Sequence, residues 1–239
     1  MLQGPPNECN YLLQARKTFQ VHVYITRDSL STPITTVEQI QEAIDGLNEQ
    51  FEPIDMTFTI CEDEVLEDFH FFNWSQADDE EYALNYHYNP NVINMYFTNT
   101  VETIDEGVVG GYAFFPGGPR ATVIGVDGDG TVPLTVLVHE MGHFFGLYHT
   151  FEVEFGVEDI NQNNCDVAGD FICDTEADIN GDVNDDCEYQ GPFSDGTNFY
   201  TPPLDNWMSY YTSCACRFTI QQYNKMVENY LDTERFNLW

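Results

Sequence analysis

Two short segments near the start of the chain alternate apolar and polar positions and predict strands. Residues 19–26, FQVHVYIT, and residues 56–62, MTFTICE, are rich in β-branched and aromatic side chains. Between them, residues 35–51 place apolar side chains at intervals of three and four. This spacing predicts a helix that starts with a capping box of Thr36 and Gln39. A strand, a helix and a strand in this order predict a crossover connection in a partly parallel sheet.

Three further apolar segments predict strands. Residues 92–100, VINMYFTNT, and residues 121–128, ATVIGVDG, have the composition of buried strands. Residues 107–118, GVVGGYAFFPGG, predict a strand that Gly110 and Gly111 interrupt, because glycine inside a strand often marks a bulge or a close approach of the backbone.

The second half of the chain carries two segments with helical spacing. Residues 132–145 predict a helix that includes the first histidines of a cluster. Residues 219–233 predict a final helix, with a capping box of Thr219 and Gln222. Between Thr150 and this last helix the pattern is mostly irregular and acidic.

The composition is typical of a folded protein, but the charge is extreme. The chain has 239 residues, of which 42% are apolar, enough for a buried core. Seven Lys and Arg against 41 Asp and Glu give a net charge of −34, which argues against nucleic acids and anionic membranes as partners. No apolar run is long enough to span a membrane. We expect a monomer whose charge reflects a solvated acidic surface, several bound calcium ions, or both.

Seven cysteines indicate an oxidising compartment. Five lie in the last third of the chain, and none has the paired spacing of a structural zinc site, so disulfides are expected. The odd number leaves at least one thiol unpaired or paired outside the chain. The first ten residues lack the pattern of an export signal, so we expect that such a signal, if the protein is exported, has been removed.

A catalytic zinc site is indicated by the stretch HEMGHFFGLYHT. His139 and His143 are four residues apart and share one face of the predicted helix, where both imidazoles can bind one zinc ion. Gly146 can end the helix in a left-handed conformation, which lets His149 approach the same ion and leaves one position open. Glu140 would lie beside the metal, where it can take a proton from a zinc-bound water.

These residues match HExxHxxGxxH, the long zinc signature of the metzincin metallopeptidases. Downstream, NWMSYY at 206–211 resembles the methionine turn of that clan, in which Met208 would pack beneath the metal without binding it. The segments GLYHTF, GDFICDT and CACRFTIQQ resemble the pappalysin family, as does the helix predicted at 35–51. The resemblance covers nearly the whole chain. Its central motifs are specific to the family, whereas the first thirty residues carry no specific motif.

The resemblance implies an α/β (α+β) catalytic domain of two subdomains with the active-site cleft between them. The first, residues 1–146, would be a twisted mixed sheet, mostly parallel, with helices, and would end with the active-site helix. The second, residues 147–239, would be mostly irregular apart from its final helix. In such enzymes an edge strand holds the substrate by strand addition. Residues 110–115 are the candidate for this edge, and a plain glycine-kinked strand is the alternative.

The resemblance also implies roles for residues outside the zinc signature. A tyrosine at the position of Tyr210 stabilises the oxyanion of the tetrahedral intermediate in related enzymes, for which a phenol is a suitable donor. The alternative for Tyr210 is a core residue. Cys187 and Cys214 resemble a family disulfide, whereas Cys165, Cys173 and Cys216 allow several pairings.

Calcium is implied by the segment GDFICDT. Related enzymes bind calcium here through side-chain and main-chain oxygens that correspond to Asp170 and Thr175, with the carbonyls of Gly169 and Cys173. Hard oxygen donors at this density suit Ca²⁺. Residues 178–186, DINGDVNDD, indicate a weaker second site, since they resemble the start of an EF-hand loop without its final glutamate.

The sequence therefore predicts a secreted zinc endopeptidase that cleaves proteins or peptides. Some relatives prefer to cut before a basic residue through an acidic side chain at the position of Ser213, so that preference is not expected here. One alternative is a calcium-loaded binding module with an inactive protease fold, but it predicts a damaged signature and none is seen. Another is a metal-dependent amidohydrolase of a different kind, which the third histidine and the methionine turn disfavour.

Overall fold

The computed structural model of the protein describes residues 12–179, 187, 193–194, 199–211 and 214–232. Its helices are α1 (Val37–Phe51), α2 (Gln76–Tyr86), α3 (Leu134–Phe144) and α4 (Ile220–Asp232). Its strands are β1 (Lys17–Ile25), β2 (Met56–Val65), β3 (Asn73–Ser75), β4 (Ile93–Thr98), β5 (Thr100–Thr103), β6 (Gly107–Val109), β7 (Gly111–Ala113), β8 (Ala121–Gly125), β9 (Phe193–Ser194) and β10 (Phe199–Tyr200).

A five-stranded mixed sheet with the order β2-β1-β4-β8-β7 forms the centre of the fold. The first four strands pair in parallel, and β7 pairs with β8 in antiparallel orientation. The connection from β1 through α1 to β2 is therefore the predicted crossover. Thr36 and Gln39 form the predicted capping box at the start of α1. The mixed, mostly parallel sheet confirms the fold class, and β7 lies at its edge.

The main apolar core is built from phenylalanines on the sheet and on the helices that cover it. Phe19, Phe51, Phe58 and Phe145 are each at most 1% exposed. Ring centroids of neighbouring pairs among them lie 5.3–6.1 Å apart, in stacked, tilted and edge-on arrangements. This cluster holds the C-terminal end of α3 in a fixed position over the sheet.

The final helix also packs on this core. Gln222 N–H donates to Thr219 Oγ1 at 3.2 Å and Thr219 N–H donates to Gln222 Oε1 at 2.9 Å, so the predicted capping box is confirmed. Met226 and Val227, in the middle of α4, are fully buried in the core. The core thus includes side chains from the segments before and after Gly146 in the sequence.

A small three-stranded sheet, β3-β5-β6, and α2 were not predicted from the sequence. They enclose a second core, in which Tyr24, Trp74 and Tyr96 are at most 2% exposed. Apolar spacing does not predict helix α2, because its buried residues are Asp79 and Ala83.

The glycine-containing segment is two strands in two different sheets, which corrects the prediction of one interrupted strand. β6 pairs with β5, and β7 pairs with β8. Between them, the Gly110 carbonyl accepts a hydrogen bond from Gly125 N–H at 2.8 Å. A β-carbon at Gly110 would lie 3.0 Å from the side chain of Val136, so the backbone passes close over α3 where the chain changes sheets.

The segment after α3 has few regular elements, as predicted. Two disulfides join Cys165 to Cys173 and Cys187 to Cys214, the second being the pair that the family resemblance implied. Among the described cysteines, Cys61 is exposed and forms no disulfide. Within the described ranges, every helix is too short or too polar to cross a membrane.

Candidate metal centre and active site

Helix α3 and the turn after it bring the three histidines of the signature together. His139 and His143 lie on adjacent turns of α3 and are both buried. The helix gives way to a turn at Gly146, whose φ of +88° is in the left-handed region that favours glycine. Leu147 N–H closes the turn by donating to Gly142 O at 3.0 Å. The reversal directs His149 back to the other two rings.

The Nε2 atoms of the three rings converge on one point. They lie 3.1 Å apart between His139 and His143, 3.0 Å between His143 and His149, and 3.2 Å between His139 and His149. Nδ1 of His139 lies 2.7 Å from the carbonyl oxygen of Trp207, and Nδ1 of His143 lies 2.8 Å from that of Leu147. Because a carbonyl only accepts, each Nδ1 carries the proton, and each Nε2 lone pair faces the common centre.

Electrostatics keeps all three rings neutral, as metal ligands must be. Burial lowers the pKa of His139 to about 4 and that of His149 to about 3. Burial and the neighbouring imidazoles hold the pKa of His143 well below its usual range. Three neutral imidazoles that converge on one point are the protein ligands of a catalytic zinc site, so the residues present fit zinc.

Glu140 lies between the histidine cluster and the edge strand. Its side chain is 5% exposed, and a β-carbon at Gly111 of β7 would lie 3.1 Å from its Cγ. Burial raises the pKa of Glu140 to about 8, and the negative charge of Glu106 adds to that rise. A bound cation would oppose both effects and favour the ionised carboxylate.

Met208 lies directly beneath the metal-binding helix. Its side chain is fully buried, and its sulfur is the atom that a side chain at Gly142 would strike first. The carbonyl of Met208 accepts a hydrogen bond from Thr150 N–H at 3.1 Å. The methionine turn therefore supports both the helix with two of the histidines and the loop with the third.

Tyr210 lies beside the histidines, and its hydroxyl contacts the turn between β5 and β6. Its ring centroid is 4.7 Å from that of His149 and 5.9 Å from that of His139. It is 43% exposed, which excludes the core alternative. Its hydroxyl donates to Glu106 Oε2 at 3.4 Å, in the turn between β5 and β6. Sequence analysis missed Glu106 because 104 residues separate the two partners.

Asp178, the first residue of the weaker predicted calcium site, joins two active-site segments. Its carboxylate accepts from Thr150 Oγ1 at 2.8 Å and from Tyr211 Oη at 2.9 Å. These bonds tie the residue after the third histidine to the residue after Tyr210. The rest of that predicted site, residues 180–186, lies outside the described residues, as does Ser213.

The four residues of the first predicted calcium site lie in one turn. Asp170 is 4% exposed and accepts from Thr175 Oγ1 at 3.0 and 3.2 Å and from Ile172 N–H at 2.9 Å. Gly169 has a φ of +62°, and Cys173 forms its disulfide from within the turn. Oδ2 of Asp174 accepts a hydrogen bond from Gln221 N–H at 3.0 Å, in the first turn of α4.

Glu158 is a further acidic residue at this turn that sequence analysis missed. It is 4% exposed, and neither of its carboxylate oxygens has a hydrogen-bond partner. A β-carbon at Gly169 would lie 2.9 Å from its Oε2. Burial raises the pKa of Glu158 to about 7, and the negative charge of Asp170 adds to that rise. Burial also raises the pKa of Asp170 to about 7. Buried carboxylates of this kind are costly unless a cation compensates them.

Comparisons with known proteins agree with this geometry. Residues 78–231 match the family model described as Pregnancy-associated plasma protein-A. An extracellular metalloprotease of Pyricularia oryzae is 28% identical over 86% of this chain and 71% of its own length. One of Sordaria macrospora is 28% identical over 90% of this chain and 74% of its own length.

Two solved structures show the same fold. Mirolysin in complex with compound 9 superposes with a TM-score of 0.66 at 18% identity, and covers 92% of this chain and 94% of its own. Tannerella forsythia mature mirolysin in complex with a cleaved peptide superposes with a TM-score of 0.62 at 19% identity, with the same coverage.

The close approach of β7 to α3 predicts that Gly111→Ala damages both the sheet edge and the site. The new methyl group would lie 2.7 Å from the carbonyl oxygen of Val123, a backbone atom that cannot move aside alone, and would press on Glu140. We expect a melting temperature lower by several degrees, consistent with about 1–3 kcal/mol of overpacking, and a loss of peptidase activity. Gly128→Ala is the matched control, because nothing lies within 4 Å of its β-carbon position. Equal melting curves and activities for the two variants would contradict the prediction.

Proposed function

We propose that this chain, which belongs to the pregnancy-associated plasma protein-A (pappalysin) family of metzincin zinc metallopeptidases, is a secreted endopeptidase that cleaves proteins. The observation that carries the proposal is the convergence of three neutral imidazoles beside a buried carboxylate, next to an open sheet edge. The relatives named extracellular metalloproteases support secretion, as do the two disulfides.

The edge strand supports cleavage within a chain rather than at its end. Among the described strands, β7 pairs with β8 only, so its other side can add a strand of substrate. An extended peptide bound along β7 would pass close to Glu140, because the β-carbon position of Gly111 lies 3.1 Å from Cγ of Glu140. We propose that this strand forms the upper rim of a cleft between the subdomains 1–146 and 147–239.

Each residue of the site has a role in hydrolysis. His139, His143 and His149 would hold the zinc ion, and the hydrogen bonds of the first two fix their rings. Zinc, when bound, polarises a carbonyl and lowers the pKa of water. Glu140 accepts the proton of the attacking water and passes it to the leaving amine. Tyr210 donates a hydrogen bond to the oxyanion, and the position of its ring beside those of His139 and His149 supports this role.

The first test replaces the proposed base. Glu140→Gln keeps the size of the side chain and removes the proton acceptor, so cleavage of casein is expected to fall by roughly 10²–10⁴-fold. Excess zinc chelator should abolish the cleavage by the unmodified protein, and added zinc should restore it. Glu228→Gln, at an exposed position of α4, is the control and should cleave normally. Cleavage that survives either Glu140→Gln or chelation would refute the mechanism.

The second test concerns the tyrosine. Tyr210→Phe removes one donor to the oxyanion and leaves the ring, so kcat should fall by about 10²-fold while KM changes little. Tyr82→Phe, on the exposed face of α2, is the matched control. A purely structural role for Tyr210 would instead lower the melting temperature and leave kcat of the folded enzyme unchanged.

We also propose that the turn from Gly169 to Thr175 binds a structural calcium ion. The donors would be the side chains of Asp170 and Thr175, the carbonyls of Gly169 and Cys173, and the Glu158 carboxylate. The support comes from Glu158, because two buried carboxylate oxygens without partners beside a second buried carboxylate call for a cation. Oxygen donors alone favour calcium over zinc.

Calcium should therefore stabilise the protein. At a concentration 100-fold above the dissociation constant, the ion adds about 2.7 kcal/mol, which corresponds to a rise in melting temperature of roughly 5–10 °C. Glu158→Gln and Asp170→Asn should remove most of this rise, whereas Asp166→Asn, exposed in the same loop, should keep it. A melting temperature that is insensitive to calcium in the unmodified protein would overturn the site, and magnesium at equal concentration tests selectivity.

A further inference from the structure

Four aromatic side chains form a continuous surface beside the metal centre, which we call the aromatic shelf: Phe115, Tyr148, Phe155 and Phe171. Phe115 stacks on Tyr148 with centroids 5.2 Å apart. Tyr148 contacts Phe155 edge-on at 5.0 Å and Phe171 at 5.9 Å, and Phe155 lies 4.9 Å from Phe171. Rings in mutual contact of this kind usually belong to a core.

The shelf is nevertheless accessible to solvent. Phe115 is 37% exposed and Phe155 is 39% exposed. Val153 and Val157, which flank Phe155 in the chain, are 59% and 56% exposed. In a chain with a net charge of −34, a group of apolar side chains of this size is a marked departure from the average surface. Exposed apolar patches of this kind commonly mark binding sites.

The shelf is continuous with the proposed cleft. The ring of Phe115 lies 5.2 Å from that of His143. Phe115 follows β7 closely, and its carbonyl accepts from Gly118 N–H at 3.0 Å in a turn. Phe115 is two residues beyond the end of β7, whose first residue, Gly111, has its β-carbon position 3.1 Å from Cγ of Glu140.

The ring of Phe171 is held in the shelf by a strained backbone conformation. Phe171 has a φ of +62°, in a region that bulky residues rarely adopt. Asp170 beside it points into the buried turn, and Cys173 anchors the same turn by its disulfide. The turn therefore places a carboxylate inside and an aromatic ring outside, at the shelf.

We infer that the aromatic shelf is a substrate subsite that selects an aromatic side chain at one position within five residues of the scissile bond, on one side only. This inference rests on the proposed peptidase function. Ring-on-ring contact favours aromatic occupants, and the contact of Phe115 with His143 places the shelf on one side of the metal centre. The shelf acts on binding and not on the bond-breaking step, so its effect should appear in KM.

The test compares quenched fluorescent peptides that carry a single Phe, or Ser in its place, at each position up to five residues from the cleaved bond. With the zinc-loaded protein, Phe should raise kcat/KM about tenfold over Ser, through KM, at a single position on one side of the cleaved bond. Phe155→Ala should reduce this Phe-to-Ser ratio to about one, and Phe155→Tyr should retain it. Leu30→Ala is the control, since Leu30 is 83% exposed and follows β1, which β4 and β8 separate from β7.

A binding measurement separates this inference from the proposed function. In the Glu140→Gln background, fluorescence anisotropy of the same labelled peptides should show about tenfold tighter binding of the Phe peptide, and Phe155→Ala should remove the difference. A Phe-to-Ser ratio near one in the unmodified protein, or a ratio that Phe155→Ala leaves intact, would overturn the subsite. If the Phe peptide binds preferentially but is not cleaved, the subsite stands and the peptidase function fails.

Discussion

The whole site depends on bringing three uncharged imidazole nitrogens within 3.2 Å of one another in a protein that carries 41 acidic residues. Burial and the repulsion between charged rings at this distance both favour the uncharged form, so the rings stay neutral. The carbonyls of Trp207 and Leu147 then fix which nitrogen of each ring carries the proton. Zinc binding follows from this arrangement, because it uses lone pairs that already face one point.

Much of the fold can be derived from the sequence because the relevant patterns are local. The spacing in residues 35–51 and the capping box of Thr36 define α1, and the crossover rule then makes β1 and β2 parallel. Helix α2 could not be found in this way, because it buries Asp79 and Ala83 rather than an apolar stripe. The separation of β6 from β7 depends on contacts with α3, and no local pattern encodes those contacts.

The residues of the site also fall into two groups, those that a local sequence pattern predicts and those that it does not. The zinc ligands and Glu140 lie within eleven consecutive positions, so helix geometry and one glycine are enough to place them. Glu106, Glu158 and Asp178 are acidic residues among many, and their sequence neighbours do not distinguish them. Each acquires its role from a partner or a buried position that only the folded chain supplies, such as Tyr210 at a separation of 104 residues.

The segment after Gly146 has little core of its own, and this explains why its polar groups matter. It is held by two disulfides, by Asp178 between Thr150 and Tyr211, and by Met208 beneath α3. Apart from the disulfide between Cys187 and Cys214, each of these contacts lies within two residues of a side chain that we assign to the site, or within a turn that shapes the shelf. Interactions that hold an irregular segment together therefore also set the positions of the third histidine, Tyr210 and Phe171. In such a segment, stability and the geometry of the site depend on the same few bonds.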